Sequence, residues 1–383
     1  MTAPASRDVF FSFAYASWGT AVARGMCFSE DRMAETLMRH SAVRRLIVAE
    51  TPRSVPIKLL RDRVEPPPPF PADERSTLYS PLRLRRLDPA GVGANERVFR
   101  AWDARARRAA GRRGLERPAV ITTHPLIAGF APLEWASSVT FYAYDDLAES
   151  PPLRRLWPVY EEAYRRVREL GRRVVAVAPA ILERIQPSGS SAVVPNGVDP
   201  AEWAAPGAAP GWFEALPAPR LLYVGSLESR IDVDSIARAA RAMPEASFAL
   251  VGPMLEPAPF EPLRGLSNVT IEPAAERHEV VALIAAAQAC LIPHVRNPLT
   301  EAMSPLKLYE YLAGGAPVAA LDLPPIRDVS PRVAIREELS KAIEAALALG
   351  RAPEEERLRF AAENSWASRQ DRIVEIALAP EGG

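Results

Sequence analysis

Short apolar runs, many rich in β-branched or aromatic residues, alternate with segments of helical period along most of this chain, and they do so in two successive series. The first series places strands at Val9–Ala14, Leu46–Ala49, Ala119–Thr123, Val139–Tyr142, Val174–Val177 and Ala192–Pro195. After Asn196 and Gly197 an Ala/Pro/Gly-rich passage runs to Pro219. A second series then reads Leu221–Gly225, Phe248–Gly252, Val269–Ile271, Ala289–Ile292 and Val318–Leu321. Such alternation predicts α/β architecture: two doubly wound parallel sheets covered by helices, with ligands at the C-terminal ends of the strands and a cleft between the two halves.

A length of 383 residues exceeds what one core usually organises, which agrees with two domains. Their expected bounds are 1–198 and 199–360. The terminal helical stretch from Glu354 to Leu378 has no strand to support, so residues 361–383 are expected to cross back to the first domain. Residues Pro52–Pro89, including Pro66–Pro69, read as an irregular insert, and such inserts are either acceptor-recognition loops or plain surface.

Charge separates the halves. Residues 1–200 hold 30 Lys and Arg against 22 Asp and Glu, whereas the formal net charge of the chain is zero. Eight arginines lie between Glu96 and Arg117 on an expected helix (Arg97, Arg100, Arg105, Arg107, Arg108, Arg112, Arg113 and Arg117). Arg is nearly the only cation this chain uses, so a solvated helix face is preferred there over peripheral membrane contact. No recognition module accompanies the charge, and nucleic acid binding is not expected. Cys27 and Cys290 stand far apart without a His cluster, which excludes a disulfide scaffold or cysteine zinc site and fits a reducing cytoplasm. No apolar run reaches the ~20 residues of a membrane span, and no secretory signal is evident at the N-terminus.

The most informative segment is Ser304-Pro305-Leu306-Lys307-Leu308-Tyr309-Glu310-Tyr311-Leu312-Ala313-Gly314-Gly315. Ser304 reads as an N-cap, Pro305 as the first helical residue, and the glycine pair as the stop before the next strand. Lys307 falls in the first turn, where a cation opposes the helix dipole by about 0.3–1 kcal/mol unless an anion is nearby. Lys occurs only at 58, 307 and 341, so this one is not an arbitrary surface cation. A phosphate at the helix N-terminus answers both points, with Glu310 one turn on accepting from ribose hydroxyls; a surface Lys–Glu pair is the bland alternative.

The run SPLKLYEYLAGGAPV, together with PNGVD at 195–199, YVGSLESRID at 223–232, and Asn297 and Thr300 ahead of the helix, resembles retaining glycosyltransferases of family 4. The likeness is to the branch of teichuronic-acid and exopolysaccharide enzymes and spans roughly residues 140–325. It implies the GT-B fold, a nucleotide-sugar donor in the C-terminal domain, and no metal or other cofactor. By the same resemblance Gly225, Asn297, Thr300, Ser304, Pro305, Leu306, Lys307 and Glu310 line the donor, with Lys307 on the diphosphate and Glu310 on the ribose. Arg230 stands for the Lys of the family's first phosphate loop. Glu301 sits one residue too far from Glu310 to match the family's glutamate pair, and Arg296 is a candidate for a missing cation.

Arg230, Lys307 and the helix N-terminus could together stabilise charge on a leaving diphosphate, the task a divalent ion performs elsewhere. On the acceptor side, His124 follows a strand and precedes Pro125, which suits orientation of a sugar or a structural cap of the next helix. The loop Ala16–Glu30, with Trp18 and Gly19, is expected to approach the donor phosphates. Asp145 and Asp146 look like the family's strand-end pair and not a metal site. The implied function is hexosyl or pentosyl transfer from a nucleoside-diphosphate sugar to a glycan, natural-product or lipid-linked acceptor, as in polysaccharide or antibiotic biosynthesis. Rival readings are a nucleotide-sugar epimerase of the same fold, or a non-catalytic nucleotide-sugar-binding partner. No GxGxxG opens the first helix, which sets a dinucleotide oxidoreductase aside.

Overall fold

The computed structural model describes residues 6–55, 68–83 and 87–380. Two compact units form: one from the described residues up to Pro195 together with those from Arg369 onward, the other from Asn196–Ser368.

In the first unit the elements run β1 (Arg7–Ser12), α1 (Trp18–Ala23), α2 (Ser29–Arg39), β2 (Val43–Ala49), β3 (Arg53–Ser54), β4 (Ser76–Tyr79), β5 (Leu82–Arg83) and α3 (Val92–Arg112). They continue through β6 (Ala119–Thr122), α4 (Pro125–Phe130), β7 (Ser138–Ala143), α5 (Trp157–Glu169), β8 (Arg173–Ala176), α6 (Pro179–Ile185) and β9 (Ser191–Val193). The main sheet has seven parallel strands in the order β4-β2-β1-β6-β7-β8-β9. Its central strands are apolar on both faces: Val9, Phe10 and Phe11 are fully buried, as expected where helices cover both sides.

The insert expected to be irregular is not wholly so. β4 pairs in register with β2, Leu46 opposite Ser76 and Ala49 opposite Tyr79, and forms the sheet edge; β3 and β5 pair with each other. Four residues among Pro, Asp and Arg are too few to show a period, and tertiary pairing decides the outcome. The remainder of that insert, 56–67 and 84–86, with Lys58, Pro66 and Pro67, lies outside the described residues. The arginine-rich helix is α3. It buries Asn95, Phe99, Trp102, Ala106 and Ala110, one stripe at helical spacing, and turns Arg97, Arg100, Arg105, Arg107, Arg108 and Arg112 outward.

In the second unit come α7 (Pro200–Ala204), α8 (Gly211–Glu214), β10 (Arg220–Val224), α9 (Val233–Ala242), β11 (Ser247–Val251), β12 (Val269–Glu272), α10 (Arg277–Ala286) and β13 (Ala289–Ile292). After these follow α11 (Pro298–Glu301), α12 (Leu306–Ala313), β14 (Val318–Ala320), β15 (Val333–Ile335), α13 (Leu339–Leu349), α14 (Glu354–Glu363) and α15 (Trp366–Leu378). Six parallel strands are ordered β12-β11-β10-β13-β14-β15, the doubly wound order of a dinucleotide-type fold. Alternate residues feed two apolar layers: Leu222, Ala249 and Val251 join one, Leu221, Tyr223 and Leu250 the other. β15 is an edge strand of three residues that the sequence reading omits.

The returning piece of chain starts at Arg369, within α15, and not at 361. Phe360 of α14 stacks on Tyr309 at 6.4 Å between ring centres, inside the second unit. The end of α15 serves the first unit: Ser138 Oγ donates to the Ala377 carbonyl at 3.0 Å, and Arg173 Nη1 to Ile376 and Ala377 carbonyls at 3.2 and 3.0 Å. Among the described residues no helix is long and apolar enough to cross a membrane.

Candidate active site

In the six-stranded sheet the strand order reverses between β10 and β13, and crevices at such switch points bind ligands beyond the carboxyl ends of the strands. Here the chain turns on Gly225 after β10 and on Pro293-His294 after β13. Gly225 has φ +142°, and a Cβ there would lie 2.8 Å from Lys307 Nζ; Gly252, at φ +155°, would bring a Cβ to 2.0 Å from the Gly225 carbonyl oxygen. Two strand ends can therefore approach each other and the lysine only as glycine.

Lys307 enters this crevice from the first turn of α12. Its Nζ donates to Tyr223 Oη at 2.7 Å, stands 3.4 Å from His294 Nε2, and lies 4.2 Å from the centre of the Tyr223 ring. No carboxylate pairs with it among the described residues. Burial pushes the amine down to about 7, with the Arg230 guanidinium adding to the effect and Glu228 and Glu310 opposing it. Burial also holds His294 well below the ordinary histidine value, reinforced by Lys307 and Arg230.

Two clamps aim the helix. Tyr311 Oη accepts the Val224 N–H at 2.8 Å, fixing α12 to the end of β10. Ser304 accepts the Asn196 N–H through Oγ at 3.1 Å, and its carbonyl takes Asn196 Nδ2 at 2.7 Å. Ser304 is thus not the N-cap. Its hydroxyl is occupied by Asn196, the helix starts at Leu306 with Pro305 in the cap position, and no side chain caps it. The first backbone N–H groups of α12 stay available to an anion. Gly314 closes the helix, as its sequence suggests.

The remaining expected donor residues are differently engaged. Glu310 Oε1 accepts from Arg277 Nη1 at 2.6 Å, and Arg277 also reaches Glu202. Arg230 Nε donates to Glu228 at 2.7 Å, and its carbonyl takes the Val295 N–H at 2.9 Å, joining the loops after β10 and β13. Asn297 and Thr300 cap α11 reciprocally, at 2.9 and 3.0 Å. Arg296 is held by Glu301 at 2.6 Å and Asp322 at 3.2 Å.

In the first unit the switch point lies between β1 and β6. His124 caps α4, its Nδ1 accepting the Leu126 N–H at 3.2 Å, between the rings of Tyr15 and Phe99 at 4.9 and 5.3 Å. Desolvation lowers it to about 4, so it is neutral at pH 7. The stretch expected as a loop contains α1, with Gly19 in its first turn and Ser17 as cap. Trp18 donates its N–H to Glu50 at 2.9 Å and its indole to the Pro69 carbonyl at 3.3 Å. Buried Glu30 holds the chain after β1, accepting from the Ala14 N–H at 3.1 Å and from Thr123 Oγ1 at 2.9 Å. Asp145 accepts the Asp146 N–H at 2.9 Å, while buried Asp146 takes Tyr164 Oη at 3.1 Å and Arg184 at 2.9 Å, a structural arrangement.

Sequence reasoning missed His294, Tyr223, Arg277 and the clamp role of Asn196. His294 carried one usable signal, its place directly behind a strand end, as with His124; the others depend on contacts distant in sequence.

No protein-family model matches the chain. A Bacillus subtilis (strain 168) protein, TuaH, named as a teichuronic acid biosynthesis glycosyltransferase, is 32% identical over 104 residues, 27% of this chain and 26% of that protein. The match therefore spans about a quarter of the relative. Among solved structures, a Burkholderia vietnamiensis α,α-trehalose-phosphate synthase (UDP-forming) superposes with TM-score 0.68 at 13% identity over 100% of both chains. An E. coli trehalose-6-phosphate structure bound with UDP-2-fluoro glucose gives 0.67 at 10% identity, over 97% of this chain and 99% of that one. WaaG, a glycosyltransferase of lipopolysaccharide biosynthesis, gives 0.58 at 16% identity, over 98% and 100%. At these identities the likeness speaks for architecture: two Rossmann-like units of the GT-B fold.

Proposed function

We propose that the chain is a cytoplasmic, metal-independent glycosyltransferase that binds a nucleoside-diphosphate sugar in its second unit and transfers the sugar with retention to a hydroxyl acceptor, a glycan or natural product before a lipid-linked one. The observation that carries this reading is Lys307: a partly buried amine without a carboxylate partner among the described residues, set at the uncapped N-terminus of α12 beside the switch point of the sheet. Breaking the bond between sugar and phosphate places negative charge on the diphosphate. Lys307, the free N–H groups of α12 and the positive field of Arg230 stabilise that charge, because fixed donors aimed at developing charge need no reorganisation.

Glu310, one turn along, is set to accept from the ribose while held by Arg277. Retention by attack on the face from which the diphosphate leaves lets a phosphate oxygen take the acceptor proton, so no side chain is needed as base; neutral His124 orients by hydrogen bonding from Nε2. The likeness to TuaH and to structures described as UDP-forming or bound to UDP-2-fluoro glucose supports a nucleotide-sugar donor. Hexosyl or pentosyl transfer is compatible with the site.

The test is the shift in melting temperature with UDP, GDP, dTDP and ADP in EDTA, for the wild type and Lys307→Ala. Selective stabilisation by one diphosphate, lost in the variant, is expected, since a ligand of the folded state stabilises by mass action. No shift with any of the four would remove the assigned site and favour a non-catalytic partner.

A further inference from the structure

His294 is buried, edge-on to Tyr223 with 6.3 Å between ring centres and 88° between planes. Its Nε2 faces Lys307 Nζ at 3.4 Å, whereas Nδ1 has no hydrogen-bond partner among the described residues. A neutral imidazole carries one N–H and one lone pair. With the proton on Nδ1, a buried N–H would go unpaired; with the proton on Nε2, only a lone pair does. Orphaned donors are the rarer defect in folded proteins, which favours the second tautomer. That tautomer turns an N–H towards Nζ, and Nζ can accept it only as a neutral amine, because an ammonium has no lone pair. Tyr223 Oη takes one amine hydrogen at 2.7 Å and donates its own to the Ser226 carbonyl at 3.1 Å.

We propose that His294 is a positioning residue that favours the neutral amine of Lys307 before ligand binds, so that a nucleoside diphosphate binds with uptake of one proton from solution. The inference rests on the reading of this crevice as a diphosphate site. The incoming proton adds to the Nζ lone pair, and the resulting ammonium donates to a phosphate oxygen. His294 exchanges its Nε2 proton for one on Nδ1, with no net change, and its Nε2 then accepts from the ammonium.

The charges facing Nζ agree with this balance. Arg230, from the loop after β10, disfavours the ammonium; Glu228 of that loop and Glu310 of α12 favour it; Tyr223 and His294 are neutral. Burial and Arg230 together bring the amine to about 7, so it is largely unprotonated at about pH 8. The complex holds one more proton than the free protein wherever free Lys307 is neutral. By linkage, affinity therefore falls as pH rises above about 7, approaching 10-fold per pH unit, over a range in which the diphosphate is already largely ionised.

The experiment is isothermal titration calorimetry with UDP, GDP, dTDP and ADP at about pH 8, in buffers of differing ionisation enthalpy, repeated across about pH 7–9. The slope of binding enthalpy against buffer ionisation enthalpy counts protons, and the wild type is expected to take up about one. His294→Asn, whose amide oxygen can accept from an ammonium, should still bind, with uptake below that of the wild type and a shallower fall of affinity across that pH range, because burial and Arg230 remain. Lys307→Arg, permanently charged, should bind with uptake near zero and affinity flat across that pH range. Binding by the wild type without proton uptake overturns the inference and leaves the donor site standing. Undiminished uptake in His294→Asn overturns the part given to His294. No binding by any of the four nucleotides overturns the diphosphate reading itself, and this inference with it.

Discussion

Asn196 and Ser304 are joined twice, backbone N–H to hydroxyl at 3.1 Å and side-chain amide to carbonyl at 2.7 Å, so the start of the second unit is pinned to the residue two positions ahead of α12. Asn196→Ala removes the second bond and leaves a buried carbonyl unpaired. Loss of one such bond costs about 1–2 kcal/mol, readable by denaturant unfolding. Because Ser304 determines where α12 begins, nucleotide affinity should fall as well. Asn196→Asp keeps the size and an acceptor but loses the donor, and is expected to match the alanine variant. If it behaved as wild type, the amide bond would not be what positions the helix.

Gly225→Ala tests the closeness of the turn to Lys307. A Cβ at that position meets Lys307 Nζ at 2.8 Å and Tyr223 Oη at 3.2 Å, on a backbone with φ +142°. Displacing the amine should abolish the nucleotide-dependent melting shift, with a stability loss of more than about 1 kcal/mol from the strained conformation. Gly265→Ala is the control, since a Cβ there meets nothing within 4 Å. Its melting temperature should change little and the nucleotide shift should persist.

His124 supplies a pH-dependent stability term in the first unit. Its folded value of about 4 lies below the ordinary 6.5, so the neutral form is favoured by folding. The sign follows: the contribution is complete above about pH 6.5, shrinks as pH falls, and is lost by about pH 4. The shift corresponds to about 3 kcal/mol as an order of magnitude. His124→Asn keeps an acceptor to cap α4 and does not titrate. Thermal melting between about pH 4 and 7 should show the variant less stable than wild type at neutral pH, with the difference narrowing on acidification.

The two parallel sheets were legible because their central strands are buried on both faces and appear as continuous apolar runs: Val9–Phe11 and Leu221–Tyr223 could hardly be anything else. Of their four edge strands, β9 and β12 were legible and β4 and β15 were not. Ser76–Tyr79 and Val333–Ile335 are short and partly exposed, and only their partners make them strands. Lys307 could be singled out because a cation in a first helical turn is locally unfavourable, and such a conflict points to an external partner. The cap was misplaced for a reason outside the helix: Ser304 is a good local cap, but Asn196, more than a hundred residues away, claims its hydroxyl. Asn297 and Thr300, expected beside the donor, also satisfy each other across α11, a local pairing that the sequence alone does not show.

The last prediction concerns Glu310, whose carboxylate stands between Arg277 and the proposed ribose position. Two roles are separable by ligand. A nucleoside diphosphate presents both ribose and diphosphate, while inorganic pyrophosphate presents only the charge that Lys307 and α12 recognise. If Glu310 accepts from ribose hydroxyls, Glu310→Ala should weaken the preferred nucleoside diphosphate by about 10-fold or more, the order of a hydrogen bond to a charged group, and leave pyrophosphate affinity nearly unchanged. If Glu310 serves only to hold Arg277, both ligands should weaken together. Arg277→Leu completes the comparison. It leaves Glu202 and Glu310 facing each other without their shared cation; both are partly exposed, so the stability cost is about 1–2 kcal/mol, not that of a fully buried pair. Calorimetric titration of both ligands into the two variants distinguishes the roles, since only a ribose contact makes Glu310→Ala selective for the nucleotide.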